Sequence, residues 1–288
     1  MFYGTMRVEV ADMIEILKAL LFGIVEGITE WLPISSTGHM ILLDEFVVLN
    51  VSKDFYKLFE VVIQLGAILA VVVLYFKRIW PFKKEKGKIR LDQKILNLWG
   101  KILVACIPAA VIGLLLDDWI DEHFYNSVVV SLALILYGII FIVLENKNIG
   151  SRKTKSVDKI TYKQALQIGG FQLLALIPGT SRSGSTIIGG LLIGLERATA
   201  AEFTFFLAIP VMAGASLLKL LKYILKVGFA FSGLEIAILI VATITAFVVS
   251  LFVIRFLINY IRKHDFKPFG YYRIVLGIIV LLYFLIMK

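Results

Sequence analysis

The chain has 288 residues, of which 59% are hydrophobic and 18% are charged, and its formal net charge is +9. Soluble domains average about 45–50% apolar and about 25% charged residues, so this composition excludes an ordinary soluble domain. The excess of Lys and Arg is typical of the cytoplasmic loops of membrane proteins, which argues against a nucleic-acid partner. We therefore predict an all-α polytopic membrane protein in which residues 1–288 form a single integral membrane domain.

Long apolar segments recur along the chain, and each approaches the ~20 residues that a helix needs to cross the hydrocarbon core. They cover residues 58–76, 102–116, 128–144, 203–221, 236–258 and 271–287. Basic loops lie at residues 77–101, 145–163 and 262–273, and an acidic loop lies at residues 117–123, with Asp117, Asp118 and Asp121. Because basic loops stay in the cytoplasm, this pattern places the acidic loop outside. Arg273, at the edge of the last segment, is expected to reach the membrane interface.

A polar stretch, residues 23–40, interrupts the first apolar segment. Its ionisable side chains (Glu26, Glu30 and His39) would each cost roughly 2.5–3.5 kcal/mol at membrane depth, so they indicate a functional site. Glu26 and Glu30 are four residues apart and share one face of a helix. Such a pair can bind a divalent cation, Mg²⁺ or Ca²⁺; alternatively, one carboxyl group stays protonated and acts as an acid or base. Ser36 follows, and a serine becomes a nucleophile when a base such as histidine or glutamate takes its proton.

A second polar stretch, residues 169–186, has the composition of an anion-binding loop. Gly184 lets the chain curl, so that the amides of residues 180–185 can point into one concavity, and a helix starting near Ser183 adds the positive end of its dipole. Arg182 can pair bidentately with phosphate oxygens. Ser181, Ser183 and Thr186 add hydroxyl donors. We predict that this loop binds phosphate.

Each polar stretch breaks a helix, and non-helical backbone survives at membrane depth only when it is buried in protein or lines a wet cavity. We therefore predict two re-entrant helix hairpins. A shift of 146 residues superposes Gly23 on Gly169 and Glu26 on Gln172, which indicates an internal repeat over residues 11–146 and 158–288. Each repeat would hold one hairpin and three transmembrane helices. An odd number of crossings inverts the second repeat, so the two hairpin tips would meet near the midplane.

Together the two loops offer carboxylates, a base, a nucleophile and an oxyanion cradle, which is the equipment for phosphoryl transfer or phosphoanhydride hydrolysis. A site inside the membrane predicts a lipid phosphate or pyrophosphate as substrate. Two mechanisms are open: Ser36 attacks phosphorus while His39 or Glu30 takes its proton, or water attacks with Glu30 as base. A transporter or lipid flippase is the alternative function, because inverted repeats around a midplane site also build transporters.

Two motifs carry a resemblance to a known family. They are EGITEWLPISSTGH at residues 26–39 and PGTSRSGST at residues 178–186. With these motifs, the chain resembles the undecaprenyl-pyrophosphate phosphatases linked to bacitracin resistance, along essentially its whole length. The resemblance implies release of the terminal phosphate from undecaprenyl pyrophosphate, a polyisoprenyl pyrophosphate lipid, in a bacterial inner membrane. It also implies a divalent cation and an active site that opens outward.

Carried over residue by residue, the resemblance implies a catalytic set and a set of phosphate ligands. The catalytic residues would be Glu26, Glu30, Ser36, His39 and Arg182. The phosphate ligands would be Ser181, Ser183 and Thr186. The oligomeric state stays open, with a homodimer as one candidate.

Overall fold

The computed structural model describes residues 2–85, 87–124, 126–148 and 153–287. The predicted acidic loop depends on the side chains of Asp117, Asp118 and Asp121, which lie outside this description, as do residues 149–152 of the second basic loop. Lys288, the last residue of the predicted domain and second repeat, and Met1 also lie outside it. Helices dominate the described part of the chain, which agrees with the predicted all-α class.

The helices follow one another in chain order with short connections. They are α1 (Phe2–Thr29), α2 (Ser36–Phe46), α3 (Lys53–Leu74), α4 (Phe76–Ile79), α5 (Gln93–Phe124), α6 (Ser127–Asn146), α7 (Tyr162–Gln172), α8 (Arg182–Leu192), α9 (Arg197–Val227), α10 (Gly233–Ile261) and α11 (Lys267–Met287). A small antiparallel hairpin, β1 (Phe82–Glu85) and β2 (Lys88–Leu91), lies between α4 and α5. Short 3-10 turns cover Val157–Lys159 and Leu173–Leu176.

Six helices in the described ranges are long and apolar enough to cross a membrane: Lys53–Leu74, Gln93–Leu116, Ser127–Asn146, Arg197–Val227, Gly233–Ile261 and Lys267–Ile286. They match the six apolar segments, and the chain is a multi-pass membrane protein. Two local expectations were wrong. The acidic residues 117–123 continue helix α5 rather than forming a loop, and the basic residues 77–101 contain the β-hairpin and the start of α5 rather than irregular chain.

The ends of several helices are fixed by side-chain caps. Thr161 and Ser232 each form a capping box, with Gln164 and Glu235 respectively. Asn126 accepts a hydrogen bond from the amide of Val129 at the start of α6 (3.0 Å). Such caps satisfy amides that a helix leaves without a partner. They fix the residues at which α6, α7 and α10 begin.

The main helix pairs join one half of the chain to the other. Helix α1 packs on α10, and α7 packs on α5; α3 packs on α9, and α6 on α11. A Cβ atom at Gly23 would lie 2.5 Å from the carbonyl oxygen of Ala242, and one at Gly169 would lie 2.3 Å from that of Ala105. These two glycines are the pair that the 146-residue shift superposes. Glycine at both positions therefore allows the same close helix crossing at two matching contacts between the halves.

The crossing of α6 and α11 is symmetric, because a glycine of each helix lies against a backbone carbonyl of the other. A Cβ atom at Gly138 would lie 2.6 Å from the carbonyl oxygen of Gly270, and one at Gly277 would lie 2.8 Å from that of Ser131. A shift of 139 residues moves Gly138 onto Gly277 and Ser131 onto Gly270. The contact therefore maps onto itself when the two helices are exchanged, as a two-fold related pair requires.

Candidate active site

The two polar breaks in the helices meet inside the protein. The first break follows α1 and precedes α2, and the second follows α7 and precedes α8. The hydroxyl of Ser183 donates to the carbonyl oxygen of Glu30 at 3.1 Å. The guanidinium of Arg182 donates through Nη2 to Oε1 of the Glu30 side chain at 2.9 Å. The structure thus joins segments about 150 residues apart in sequence into one site.

A strained serine ends each break. Ser35 has φ 74° and ψ 99°, and Ser181 has φ 71° and ψ 123°. Positive φ in a residue other than glycine costs on the order of 1–3 kcal/mol and is found at functional sites. The hydroxyl of Ser35 accepts from the amide of Gly38 (3.3 Å), and that of Ser181 accepts from the amide of Gly184 (3.1 Å). Each serine caps the helix that starts with the next residue.

These caps put Ser36 and Arg182 at the first positions of α2 and α8. The same 146-residue shift that aligns the two predicted repeats superposes Ser36 on Arg182. The first turn of a helix also carries amides without intrahelical partners, and it attracts anions. A hydroxyl group and a guanidinium therefore occupy equivalent places at two helix starts that are suited to a phosphate group.

Glu30 links the hydroxyl and the guanidinium. Ser36 donates through Oγ to Oε2 of Glu30 at 2.8 Å, while Arg182 binds Oε1. Arg182 also donates through Nη1 to the carbonyl oxygen of Thr204 at 3.0 Å. Its Nε has no hydrogen-bond partner among the described residues, and its side chain keeps 12% of its exposure. A carboxylate in this position can take the proton of Ser36, and Arg182 retains a donor for a phosphate oxygen.

His39 lies on a different side of this group. Its Nδ1 lies 2.7 Å from the carbonyl oxygen of Ser35, and its Nε2 lies 2.7 Å from the hydroxyl of Tyr272. Because a carbonyl oxygen only accepts, we assign the proton to Nδ1, so that Tyr272 donates to Nε2. The rings of His39 and Tyr272 also stack, with centroids 5.6 Å apart. Of the two bases that the sequence left open for Ser36, the structure brings Glu30 into contact with it.

Glu26 lines a cavity that reaches the site. It is only 1% exposed, and its Oε1 has no hydrogen-bond partner among the described residues. The cavity has a volume of about 920 Å³, and Ser36, Glu60 and Gln64 also line it. Unlike Glu26, Glu30 has both of its oxygens in hydrogen bonds. The predicted cation pair is therefore unequal, with one carboxylate open to a ligand and one engaged.

The hydroxyl groups of the second loop are largely engaged within the protein. Thr186 donates to the carbonyl oxygen of Arg182 (2.9 Å) and lies 2.8 Å from the hydroxyl of Thr204. Ser183 donates to Glu30 and lies 3.1 Å from the hydroxyl of Ser181. Ser183 and Thr186 are buried, whereas Ser181 is half-buried. As a phosphate ligand, Ser183 would have to release a bond that joins the two loops, and Thr186 would have to release one within α8 or between α8 and α9.

Arg273 is the main residue that sequence reasoning misjudged. It was expected at the membrane interface, but it is 0% exposed. Its guanidinium donates to the carbonyl oxygens of Pro33 (3.2 Å), Gly179 (2.9 Å) and Thr180 (3.1 Å), which lie in the two breaks. One signal was available: the 139-residue shift places Arg273 opposite Leu134, so the arginine departs from the repeat. Through Arg273 and Tyr272, helix α11 also contributes to the site.

Fold and site define the class of this protein. It is a multi-pass membrane protein in which two broken helices bring a carboxylate, a hydroxyl and a guanidinium into contact at one partly buried site.

Comparison with known proteins identifies the family. A family profile described as "Bacitracin resistance protein BacA" matches residues 19–279. Proteins named "Undecaprenyl-diphosphatase" are similar along nearly their whole length. The one from Enterococcus faecalis is 58% identical, covering 94% of this chain and 98% of its own. The protein from Desulfitobacterium hafniense is 60% identical over 94% of this chain and 97% of its own length. The protein from Lachnoclostridium phytofermentans is 59% identical over 96% of this chain and 100% of its own length. This chain belongs to the bacitracin resistance protein BacA family, which confirms the resemblance drawn from its two motifs.

Proposed function

We propose that this protein hydrolyses undecaprenyl pyrophosphate to undecaprenyl phosphate and inorganic phosphate, and so returns the lipid carrier to cell-wall synthesis. The contact of Ser36 and Arg182 with the two oxygens of Glu30 carries this proposal. Transport of an anion needs a cradle, but it does not need a hydroxyl held against a carboxylate. The names of the similar proteins support the same substrate.

The reaction begins with the hydroxyl of Ser36. Its oxygen attacks the terminal phosphorus, its proton moves to Glu30, and the bond between that phosphorus and the bridging oxygen breaks. The leaving group is the lipid monophosphate. Glu30 passes the proton of Ser36 to the leaving oxygen and so becomes a base again. Water then attacks the phosphoserine and gives a proton to Glu30. The bond between Oγ and phosphorus breaks, Glu30 returns the proton to Oγ of Ser36, and inorganic phosphate leaves. Arg182 faces the charge that develops on the phosphoryl oxygens, where a positioned donor is worth roughly 10²–10³ in rate.

Direct attack by water remains the alternative mechanism, with Glu30 as the base and Ser36 as a ligand. The 2.8 Å contact between Ser36 and Glu30 favours the serine route, because the hydroxyl is already aligned with its base. Rapid acid quenching after mixing with substrate labelled in its terminal phosphate distinguishes the two. Label on the Ser36 peptide supports the serine route, whereas a Ser36→Ala variant with nearly full turnover would remove it.

A divalent cation, Mg²⁺ or Ca²⁺, fits the Glu26 side of the site. No group of three or more His, Cys, Asp or Glu side chains converges on a metal position in the part of the chain that the structure describes. Mg²⁺ is, however, often held by one or two carboxylates together with substrate phosphates. The unpartnered oxygen of Glu26 supports such a site, with Glu30 as a further ligand if it releases a partner. A bound cation would neutralise charge on the pyrophosphate.

This arrangement predicts that the cation binds with the substrate rather than before it. Calorimetric titration of Mg²⁺ should show weak binding to the protein alone and tighter binding with methylene bisphosphonate present. Glu26→Gln should weaken the second titration, and Gln64→Ala in the same cavity should leave it nearly unchanged. Equal metal binding with and without the bisphosphonate would contradict the shared site.

We further propose that the two halves are inverted repeats with re-entrant hairpins, in a bacterial inner membrane. The matched helix crossings and the meeting of the two breaks support this arrangement. The cavity would open outward, because Lys53, Asn126 and Lys219 line it, at the helix ends opposite to the basic loops. Labelling of Asn126→Cys by a membrane-impermeant maleimide in intact cells, with Cys106→Ser as background and Lys88→Cys as control, tests this orientation.

The central assay measures phosphate release from undecaprenyl pyrophosphate by the purified protein in detergent. Release that stops in Arg182→Ala and Glu30→Gln supports one site built from both loops. Folded protein that binds the lipid without releasing phosphate would favour transport instead. All groups of the site come from one chain, so the proposal does not require a homodimer.

A further inference from the structure

The hairpin formed by β1 and β2 plays no part in the proposed reaction. All residues of its two strands are exposed. An isolated two-stranded hairpin is only marginally stable in water, so such a ribbon needs a surface to lie on. The register pairs Phe82 with Leu91, Lys83 with Arg90, Lys84 with Ile89, and Glu85 with Lys88. Because directly opposed residues share a face, these pairs alternate between the two sides of the ribbon.

One side of the ribbon is mainly apolar. It carries Phe82 (50% exposed), Leu91 (47%) and Ile89 (77%), together with Lys84. The other side carries the charged pairs, Lys83 with Arg90 and Glu85 with Lys88. An exposed apolar patch rimmed by charged residues marks a site of interaction with a membrane or another protein. The apolar side of this ribbon therefore requires a partner.

The position of the ribbon points to the membrane itself. Span α3 ends at Leu74 and the next span begins at Gln93, so the ribbon joins two helix ends at the membrane surface. The amide of Asp92 donates to the carbonyl oxygen of Pro81 at 2.7 Å and closes the base of the ribbon. A strand of four residues reaches only about 13 Å. The ribbon therefore stays close to the headgroup layer, whichever way it leans.

An aromatic row connects the ribbon to the lipid-facing surface of the helices. Phe76 stacks on Trp80 (centroids 5.1 Å apart), and Trp80 contacts Phe82 (5.5 Å). All three side chains are close to half exposed. Aromatic residues concentrate where a membrane protein meets the headgroups. The apolar side of the ribbon is thus continuous with the belt at the end of α3.

A small cavity at the base of the ribbon has the chemistry of a headgroup site. Its volume is about 230 Å³, and Lys77, Lys83, Trp80 and Asp92 are among the residues that line it. Among the described residues, the ion pairs of Lys83 are long, at 3.8 Å with Asp92 and 4.0 Å with Glu85. Basic pockets beside transmembrane helices bind the phosphates of anionic lipids.

We propose that β1–β2 is a lipid-binding ribbon. Its apolar side, Phe82, Ile89 and Leu91, lies in the membrane surface. Lys77 and Lys83, which line the cavity at its base, bind the phosphate of an anionic phospholipid, and Arg90, the cross-strand neighbour of Lys83, adds its charge beside them. This site is separate from the cavity that contains Ser36.

Spin labels on the two sides of the ribbon test the proposal. The sole cysteine, Cys106, is replaced by serine, and nitroxides are attached at Ile89→Cys or Lys88→Cys in the full chain. The protein is placed in nanodiscs with or without phosphatidylglycerol. With that lipid, the label at position 89 should collide mainly with oxygen and the label at position 88 mainly with a water-soluble nickel complex. Equal access of nickel to both labels would overturn the proposal, and exclusion of both reagents from position 89 would show a protein cover instead.

Charge variants test the headgroup contact. In zwitterionic discs, nickel access at position 89 should rise several-fold, because each basic residue near an anionic surface adds about a fivefold gain in binding. Lys77→Gln, Lys83→Gln and Arg90→Gln together should abolish this difference between discs. The matched triple Lys153→Gln, Lys159→Gln and Lys263→Gln removes the same charge from other exposed positions and should preserve it. Equal loss in both triples would reject the headgroup site.

Discussion

Replacement of Arg273 by leucine, the residue at the equivalent place in the first repeat, should loosen the site without touching its reacting groups. The fully buried guanidinium donates to three carbonyl oxygens of the two breaks, at 2.9–3.2 Å. Two longer contacts reach the carbonyl oxygens of Leu134 (3.4 Å) and Ala133 (3.5 Å). Leucine would leave these buried acceptors without a donor.

The cost follows from the number of acceptors. A hydrogen bond to a charged group contributes about 1.5–3 kcal/mol, and a buried acceptor without a partner costs about 1–3 kcal/mol. Contributions from one guanidinium are not additive, and water that enters the gap would replace some bonds. We therefore expect a loss of about 3–5 kcal/mol, the range found when a buried charged pair loses one member. Since the lost bonds hold Pro33 and Gly179, the loops at Ser36 and Arg182 should also move.

Two measurements on purified protein separate these effects. Thermal unfolding in detergent should show a lower midpoint for Arg273→Leu, by about 10 °C. Arg273→Lys, which keeps one charged donor, should recover much of that midpoint but still lose roughly 10²-fold in kcat, because small displacements of reacting groups are expensive. Arg255→Leu, at an exposed arginine in α10, is the matched control. If Arg273→Leu unfolded and turned over like that control, the assignment of Arg273 as a positioning residue would be wrong.

Three further predictions follow from the same contacts. Glu30→Gln keeps the shape of the side chain but cannot take the proton of Ser36. We therefore expect kcat to fall by about 10²–10⁴, while the unfolding midpoint stays close to that of the parent. A drop in kcat of less than tenfold would assign the base elsewhere. Tyr272→Phe removes the donor to Nε2 of His39 but leaves the ring stack. The loss in kcat should therefore stay within about tenfold, which is smaller than for Glu30→Gln. A larger loss would place His39 and Tyr272 in the reaction itself. Gly23→Val would put its Cβ atom 2.5 Å from the carbonyl oxygen of Ala242 and should destabilise the fold by several kcal/mol. Gly214→Val, with no atom within 4 Å, should change stability by less than about 1 kcal/mol, because valine is no worse than glycine inside a helix. Equal midpoints would contradict the close crossing of α1 and α10.

The crossing helices and the two breaks could be predicted because each has a strong local cause. Runs of about 20 apolar residues predict spans. Pro33 and Pro178 stand in polar, glycine-containing stretches that break the helices, whereas Pro108 and Pro210, in apolar surroundings, lie inside α5 and α9. The β-hairpin was missed because its alternation covers only four residues per strand, within a run of lysines that resembles any basic loop. The helical end of α5 was missed because charge indicated the side of the membrane but not the backbone conformation. Local sequence patterns predict individual helices and strands, whereas the contacts between distant segments depend on tertiary packing.

The site shows the same limit more sharply. The sequence indicated Glu30, Ser36 and Arg182 as candidates, but it did not decide between Glu30 and His39 as the neighbour of Ser36. That choice depends on the turn at Ser35, whose positive φ is not typical of serine. It depends also on Tyr272, which lies 233 residues from His39. The role of Arg273 could not be seen, because five carbonyl acceptors from distant segments decide whether an arginine is buried or reaches the interface.

The chemistry of this protein depends on where its two similar halves differ. The shift that superposes the breaks places Ser36 opposite Arg182, Glu26 opposite Gln172 and Glu30 opposite Leu176. Two identical halves would bring two hydroxyls or two guanidiniums together, and neither pair can both attack a phosphoryl group and stabilise its charge. In the proposed serine route, the unlike groups at the two helix starts divide the work: the first half supplies the nucleophile and its base, and the second supplies the guanidinium. Two similar halves with unlike groups therefore form one asymmetric site, in which the attacking hydroxyl and the stabilising guanidinium come from opposite halves. Exchanging Ser36 and Arg182 in a double variant should preserve the helix starts but abolish turnover, because the base at Glu30 has no counterpart at Leu176.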